Sequence, residues 1–264
     1  MRKVMQVAVV ITACVVVLFS CRKNAATEQV ATLSEEALNK IYNLGFSNKN
    51  VTIDEDGNYV VEGDIVLSQA NLDATPDVQF LRVGSEEQYR TTNLVTIPRT
   101  ISVSLSSKLP SSYGAALNEA LERYNAENLL ITFQRVSSGA DITLVSGHGS
   151  YLASAGFPTS SGEPYNQVKI NASQLNGQPQ ATIASVIAHE LGHCIGFRHT
   201  DYMDRSYSCG GTQVVNEGAS TVGAVLIPGT PAGADPNSWM LSCIGSGQNR
   251  PFNANDKTAL AYLY

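Results

Sequence analysis

Three of the chain's four histidines, His189, His193 and His199, fall within eleven positions, and with Glu190 and Gly196 they spell H-E-x-x-H-x-x-G-x-x-H. On a helix turning about 100° per residue, His189 and His193 stand on one face a turn apart, as two ligands of one metal must. Gly196 can take the left-handed conformation that ends the helix and turns the chain back, so that His199 arrives as a third ligand. Three neutral imidazoles suit Zn²⁺ and leave a fourth position for water. Glu190 is the carboxylate expected to take that water's proton as it attacks a carbonyl, and then to hand it to the leaving amine. The other side of the helix agrees. Ile183, Leu191, Cys194 and Ile195 fall within roughly 80° of Ile187, an apolar stripe that should face the core while the histidines face a cleft. Five fixed letters recur by chance in on the order of one in 10⁵ chains of this length.

These residues resemble the metzincin zinc endopeptidases, and HELGHCIGFRHTD is most similar to the dual-action HEIGH metallopeptidase family. The resemblance implies an α+β fold: an α/β-like upper subdomain with a mixed sheet and the active-site helix, over an irregular lower subdomain. It implies peptide-bond hydrolysis by a zinc-bound water in the cleft between them, with one catalytic Zn²⁺; calcium is allowed but not called for. It also implies a methionine turn beneath the metal. Ser238-Trp239-Met240 has the Ser-x-Met form, which makes Met240 the candidate, whereas Met203 lies too close to His199. Where many metzincins place a tyrosine, two residues on, this chain has Ser242, so no tyrosine is assigned to the transition state. Asp201 either orients His199 by accepting its second N–H or caps the following turn.

The N-terminus addresses the chain out of the cell. Arg2 and Lys3 precede an apolar run from Val4 to Phe19, too short for a comfortable membrane span, which reads as a secretory signal over residues 1–20. Leu18-Phe19-Ser20-Cys21 resembles a bacterial lipoprotein box, which implies a lipid on Cys21 and anchoring in a membrane at the cell envelope or surface; release as a secreted protein is the alternative. Losing residues 1–20 removes two cations and no acid, moving the formal net charge from −6 to −8. No basic patch calls for nucleic acid. With Cys14 removed and Cys21 lipidated, Cys194, Cys209 and Cys243 remain: one disulfide and one buried thiol. Cys209 with Cys243 is favoured because Cys194 sits on the core face of its helix, but any pairing is open.

Residues 21–32 read as a tether. Over residues 33–90 the pattern is that of a small α+β unit: Ser34 as N-cap before Glu35 and Glu36, a helix ending at Gly45, then strands Val51 to Ile53 and Tyr59 to Leu67 around Asp56-Gly57. Leu44-Gly45-Phe46 and Val61-Glu62-Gly63-Asp64-Ile65 resemble the segment preceding the catalytic part in the HEIGH family, which makes this unit a candidate prosegment. It has no cysteine, so a cysteine switch is excluded. Asp64 is either a zinc ligand that keeps the enzyme latent or a turn-shaping residue.

Residues 91–264 form the catalytic domain. Ile101, Val103 and Leu105 alternate with serines as a half-buried strand, and Tyr113 to Tyr124 keep helical spacing after Pro110. Strands are expected over Leu129 to Val136, Asp141 to Val145 and Tyr165 to Asn171. By topological analogy the strand at the cleft's rim lies in Leu144 to Ser154 or Tyr165 to Asn171, with Ala153 and Ser154 as partners for substrate backbone. His148, between glycines, reads as a loop residue. Residues 205–237 should form the irregular lower part, and Asn255 to Tyr264 a closing helix with Ala259, Leu260 and Leu263 inward.

The expectation is therefore an exported, lipid-anchored zinc endopeptidase acting as a monomer on protein or peptide substrates, touching a membrane only through its N-terminal lipid. Two alternatives are a catalytically silent cell-surface binding lipoprotein that keeps the fold, against which the intact Glu190 argues, and a zinc hydrolase of non-peptide amides.

Overall fold

The alternating apolar runs of the sequence build an eight-stranded mixed sheet, the motif helix lies against it, and a separate two-stranded sheet joins Tyr89–Arg90 to Val225–Leu226. The computed structural model describes residues 33–44, 46–73, 88–211, 224–231 and 233–264. The expected signal, tether, Cys21 and Gly45 lie outside the described residues. In chain order the elements are α1 (Glu35–Asn43), β1 (Thr52–Ile53), β2 (Tyr59–Val61), β3 (Ile65–Leu67), α2 (Gln69–Asp73), β4 (Tyr89–Arg90), β5 (Arg99–Leu105) and α3 (Tyr113–Asn125). They continue with β6 (Ile131–Arg135), β7 (Ile142–Ser146), β8 (Ala153–Ala155), β9 (Gln167–Ile170), α4 (Ala172–Leu175), α5 (Gln180–Ile195), α6 (Ser206–Cys209), β10 (Val225–Leu226) and α7 (Ala254–Leu263). Among the described residues no helix is long and apolar enough to cross a membrane.

The eight-stranded sheet runs β1-β2-β3-β8-β9-β7-β5-β6. Strands β9, β7, β5 and β6 are parallel, and β8 lies antiparallel to β9. In the parallel part Ile101, Val103, Ile131, Phe133, Ile142 and Leu144 are buried, where α3 and α5 cover them. Tyr113, Ala116, Leu117, Ala120, Leu121 and Tyr124 are the buried face of α3, as its spacing predicts. Each large aliphatic side chain removed from water contributes about 2 kcal/mol, which is why this face, and not the polar one, packs inward. At the carboxyl end Asn253 caps α7, and its capping box with Asp256 starts the helix that buries Ala259, Leu260 and Leu263.

One expectation changes. The apolar run from Tyr59 to Leu67 is not one strand: Glu62 (φ 55°) and Gly63 (φ 95°) break it into a second tight hairpin, pairing Val61 with Ile65. A Gly-Asp pair within an apolar run is a turn signal, and here it outweighs the β-propensity around it. The sheet does not stop at the end of the N-terminal unit. Strand β3 adds to β8 in parallel at Ile65 and Ala155, and Ala155 N donates to Asp64 O at 3.0 Å. The N-terminal strands keep their own apolar cluster, Ile41, Phe46, Val61, Ile65 and Leu67 among them, yet they extend the sheet of the catalytic part. Strand β8 overlaps the first of the two segments expected for the rim strand, and it is paired on one side by β9 and on the other by β3.

Candidate metal centre

Helix α5 carries His189, Glu190 and His193 and ends at Gly196, whose φ of 111° is the left-handed conformation the motif requires. A Cβ there would stand 2.9 Å from the carbonyl oxygen of Asn93, so space as well as conformation selects glycine. The reversed chain brings His199 back, and the three imidazole centroids lie 4.7, 4.9 and 5.2 Å apart.

Two of the rings are fixed through Nδ1. His189 Nδ1 lies 2.9 Å from Trp239 O, and His193 Nδ1 lies 2.8 Å from Phe197 O. A carbonyl only accepts, so each Nδ1 carries a proton and Nε2 is the ring nitrogen turned toward the cluster. Those Nε2 atoms are buried and have no hydrogen-bond partner among the described residues. Burial, with His189 and His199 adding to it, holds the His193 imidazole well below its ordinary pKa, so the ring is neutral.

Asp64 completes the cluster. Its Oδ2 lies 3.5 Å from His189 Nε2 and its Oδ1 3.3 Å from His199 Nε2, and one ligand atom from each of the four residues falls within 4.8 Å of the others. Four ligands about 2.1 Å from a tetrahedral zinc stand about 3.4 Å apart, so the spacing from Asp64 to the two imidazoles is what such an ion would set. The donor set of neutral imidazoles and one carboxylate, with orphaned buried nitrogens between them, fits Zn²⁺.

The histidines were expected in an open cleft. They are 8%, 0% and 0% exposed because the β2–β3 turn covers them. Two contacts fasten this cover. Arg198, next to His199, donates from Nη2 to both carboxylate oxygens of Glu62 at 2.6 Å. On β9, Lys169 Nζ lies 2.8 Å from Asp54 and 2.6 Å from Asp56, both in the β1–β2 turn. Neither pair was anticipated from the sequence, since nothing local in Arg198 or Lys169 names a partner more than a hundred residues away.

Glu190 is 2% exposed. Burial first, and then the negative charge of Asp64, push its carboxyl well above the ordinary carboxylate range. Asp64 itself feels the same burial, but the surrounding imidazoles outweigh it and hold its carboxyl low.

Met240 is buried beneath the cluster, and a methyl on Gly192 would come within 2.6 Å of its Sδ. The neighbouring Trp239 carbonyl is the one that fixes His189, and Met240 O accepts from Thr200 N at 3.0 Å. Asp201 accepts from Ser242 N (2.9 Å), Ser242 Oγ (2.8 Å) and Ser208 Oγ (2.5 Å), and none of its hydrogen bonds reaches an imidazole. It ties α6 to the stretch after Met240, so of its two readings the turn-capping geometry is the one present. Cys209 and Cys243 form a disulfide beside it, and Cys194 is a buried free thiol. His148 lies in an exposed loop away from the cluster.

Beside Glu190 opens a cavity of about 320 Å³, lined by Gly63 and Asp64 of the β2–β3 turn, by Leu152 and Ala153, by Ser185, Val186 and His189 of α5, and by Trp239 and Leu241 to Ile244.

Residues 59–264 match the family described as dual-action HEIGH metallo-peptidase. Among solved structures, the chain is 17% identical to myroilysin, with a TM-score of 0.40, covering 66% of this chain and 82% of that one. It is 19% identical to high choriolytic enzyme 1, a hatching enzyme zinc-protease from the medaka fish Oryzias latipes, with a TM-score of 0.35, covering 62% and 88%. A search of the curated proteins finds no match.

Proposed function

We propose, from the premise that this chain belongs to the dual-action HEIGH metallopeptidase family and is a zinc metallopeptidase acting on protein or peptide substrates, that His189, His193 and His199 hold its zinc, that Glu190 is its general base, and that Asp64 keeps it latent. The observation that carries this reading is the four-residue cluster itself, with the Nδ1 atoms of His189 and His193 committed to backbone carbonyls and their Nε2 atoms converging with Asp64.

Bound there, zinc would supply a Lewis acid that polarises the scissile carbonyl and acidifies a water. The chain's own residues do the rest. Glu190 accepts the water's proton on its carboxylate and returns it to the departing nitrogen. The Trp239 and Phe197 carbonyls hold the rings of His189 and His193, and Met240 fills the floor below them.

Closed tetrahedral zinc sites are structural, whereas working ones keep a position for water. Asp64, in a hairpin turn with its carboxylate close to the imidazole nitrogens, is the residue that would take that fourth position in place of water. Strand β3 meanwhile covers the edge of β8 on which an extended substrate would pair. This geometry supports latency, since one turn would close the metal's fourth position while its strand covers the edge of β8.

Export and anchoring through Cys21 rest on the basic start, the apolar run and the Leu-Phe-Ser-Cys sequence. A disulfide is consistent with an oxidising compartment. Incorporation of labelled fatty acid into the wild type but not into Cys21→Ser tests the anchor; equal labelling rules it out.

The activity is tested by metal analysis and casein cleavage. One zinc per chain and cleavage abolished by o-phenanthroline are expected, and Glu190→Ala added to the Asp64→Ala chain, in which latency is relieved, should keep the zinc while losing at least about two orders of magnitude in turnover. Unchanged turnover in that variant would refute the mechanism and leave a binding protein with a metal site.

A further inference from the structure

Arg250 is a cation without an ion-pair partner among the described residues, in the cavity that Glu190 and Asp64 also line. Arg250 lines its wall, and the only hydrogen bond its guanidinium makes among the described residues is from Nη1 to Cys243 O at 2.9 Å. No carboxylate of the described residues lies within ion-pair distance of it. Asp201 and Asp256 act on it only from further away, and burial is the stronger influence, pulling its pKa down. Arg205 lines the same cavity. Leu152, Val186, Trp239 and Leu241 belong to the apolar part of the lining, and the carboxylates of Asp64 and Glu190 line it too, neither in an ion pair with Arg250.

The position of the cavity says which part of a substrate enters it. His189 and Glu190 line it, but His193 and His199 do not. Glu190 hands its proton to the departing nitrogen, so the residue that contributes that nitrogen lies on the Glu190 side of the metal. Its side chain is the one that can reach the cavity.

We propose that this cavity selects substrates with aspartate or glutamate immediately after the scissile bond, and that Arg250 is the residue that determines this specificity. The inference rests on the peptidase reading above and deepens it. A guanidinium presents its donors in a planar fork that a carboxylate matches bidentately. An aliphatic side chain in the same place would strip water from those donors and return nothing, so the site penalises it.

A second observation points the same way. Where the N-terminal unit occupies the cleft, it meets the flanking cations with acids: Asp54 and Asp56 on Lys169, and Glu62 on Arg198. A surface complementary to an acidic segment in the latent chain is complementary to acidic peptides once that segment leaves.

The test is cleavage of matched peptides that differ only in the residue after the scissile bond, Glu, Gln, Leu or Lys, by the full chain and by the full chain carrying Asp64→Ala. We expect kcat/KM for Glu to exceed that for Gln and Leu by about tenfold or more, the scale of one charge-assisted hydrogen-bonded pair. Arg250→Ala should reduce that ratio to about two or less, Arg250→Lys should keep part of it, and Arg250→Glu should invert it in favour of Lys. Thermal melts of the three variants identify any that do not fold, and the Lys variant, the least disruptive, decides if the others fail. Cleavage with a preference for Leu, or an acidic preference that survives Arg250→Glu, overturns this proposal and leaves the peptidase reading intact. No cleavage of any peptide by either chain overturns both.

Discussion

Glu62 and Arg198 form an ion pair, Oε2 to Nη2 at 2.6 Å, in which neither side chain is more than 1% exposed. The guanidinium also lies over the ring of Phe46, 4.8 Å from its centroid. Glu62 is two residues from Asp64 and Arg198 adjoins His199, so the pair joins the base of the covering turn to the third imidazole. A buried pair of this kind fixes arrangement more than it adds stability, because desolvation of both charges offsets much of their attraction.

Removing one partner is therefore worse than removing both. Glu62→Ala should lower stability by about 3–5 kcal/mol, since it strands a buried guanidinium. Glu62→Leu combined with Arg198→Met should cost clearly less than the single change. Urea titrations of the two variants measure this; a double variant as unstable as the single one would mean that the pair is not what the turn depends on.

Asp64→Ala opens the fourth position while leaving three imidazoles. We expect one zinc per chain to be retained and caseinolytic turnover of the full chain to rise at least about tenfold over wild type, a scale set by exchanging a protein ligand for water at a catalytic zinc. Loss of the zinc, or turnover at the wild-type level, would argue that Asp64 shapes its turn and nothing more.

The centre of this molecule was legible from its letters, and its cover was not. His189, Glu190, His193 and Gly196 act through helical spacing and one left-handed residue, both local properties that a sequence states directly. The face of α3 and the inward residues of α7 are legible for the same reason. Asp64 could be named only as one of two readings, because the turn that delivers it competes with a run of strand-forming residues on either side. The pairing of β3 with β8 is less legible still. It joins Ile65 to Ala155 across ninety positions, and two strands of three residues each carry no periodicity to announce their pairing. Lys169 belongs to the same class: a lysine in a strand reads as a solvent-facing residue, and only the acids of the β1–β2 turn explain why it is 3% exposed.

The disulfide bears on the same site from below. Cys209 and Cys243 are 34 residues apart, and the bond holds the segment after Met240 against α6. Closing a loop of that length constrains the unfolded chain by about 4 kcal/mol on the chain-entropy estimate. Cys209→Ser with Cys243→Ser should lower stability by about that amount, and dithiothreitol should destabilise the wild type but not the double variant. An equal response of both to reductant would show that the thiol chemistry lies elsewhere, since Cys194 is buried and burial pushes its thiol well above the ordinary range.

Asp256 couples the closing helix to the methionine turn, and its titration gives a pH signature of defined sign. Its carboxylate accepts from Gln88 Nε2 at 2.7 Å, Asn253 N at 2.9 Å and Trp239 N at 3.1 Å. Burial outweighs these hydrogen bonds and pushes its pKa from 3.8 up to about 6. A carboxyl that is easier to protonate folded than unfolded contributes most below its unfolded pKa, and that contribution is lost as pH rises through the folded value. The gap is on the order of 3 kcal/mol. Asp256→Asn has no proton to lose, so the stability of the wild type relative to this variant should fall by roughly that amount between about pH 4 and about pH 7, read from urea midpoints across the range. A difference that grew with pH would mean that the hydrogen bonds, and not burial, govern Asp256, and that Trp239 is held by a full negative charge throughout.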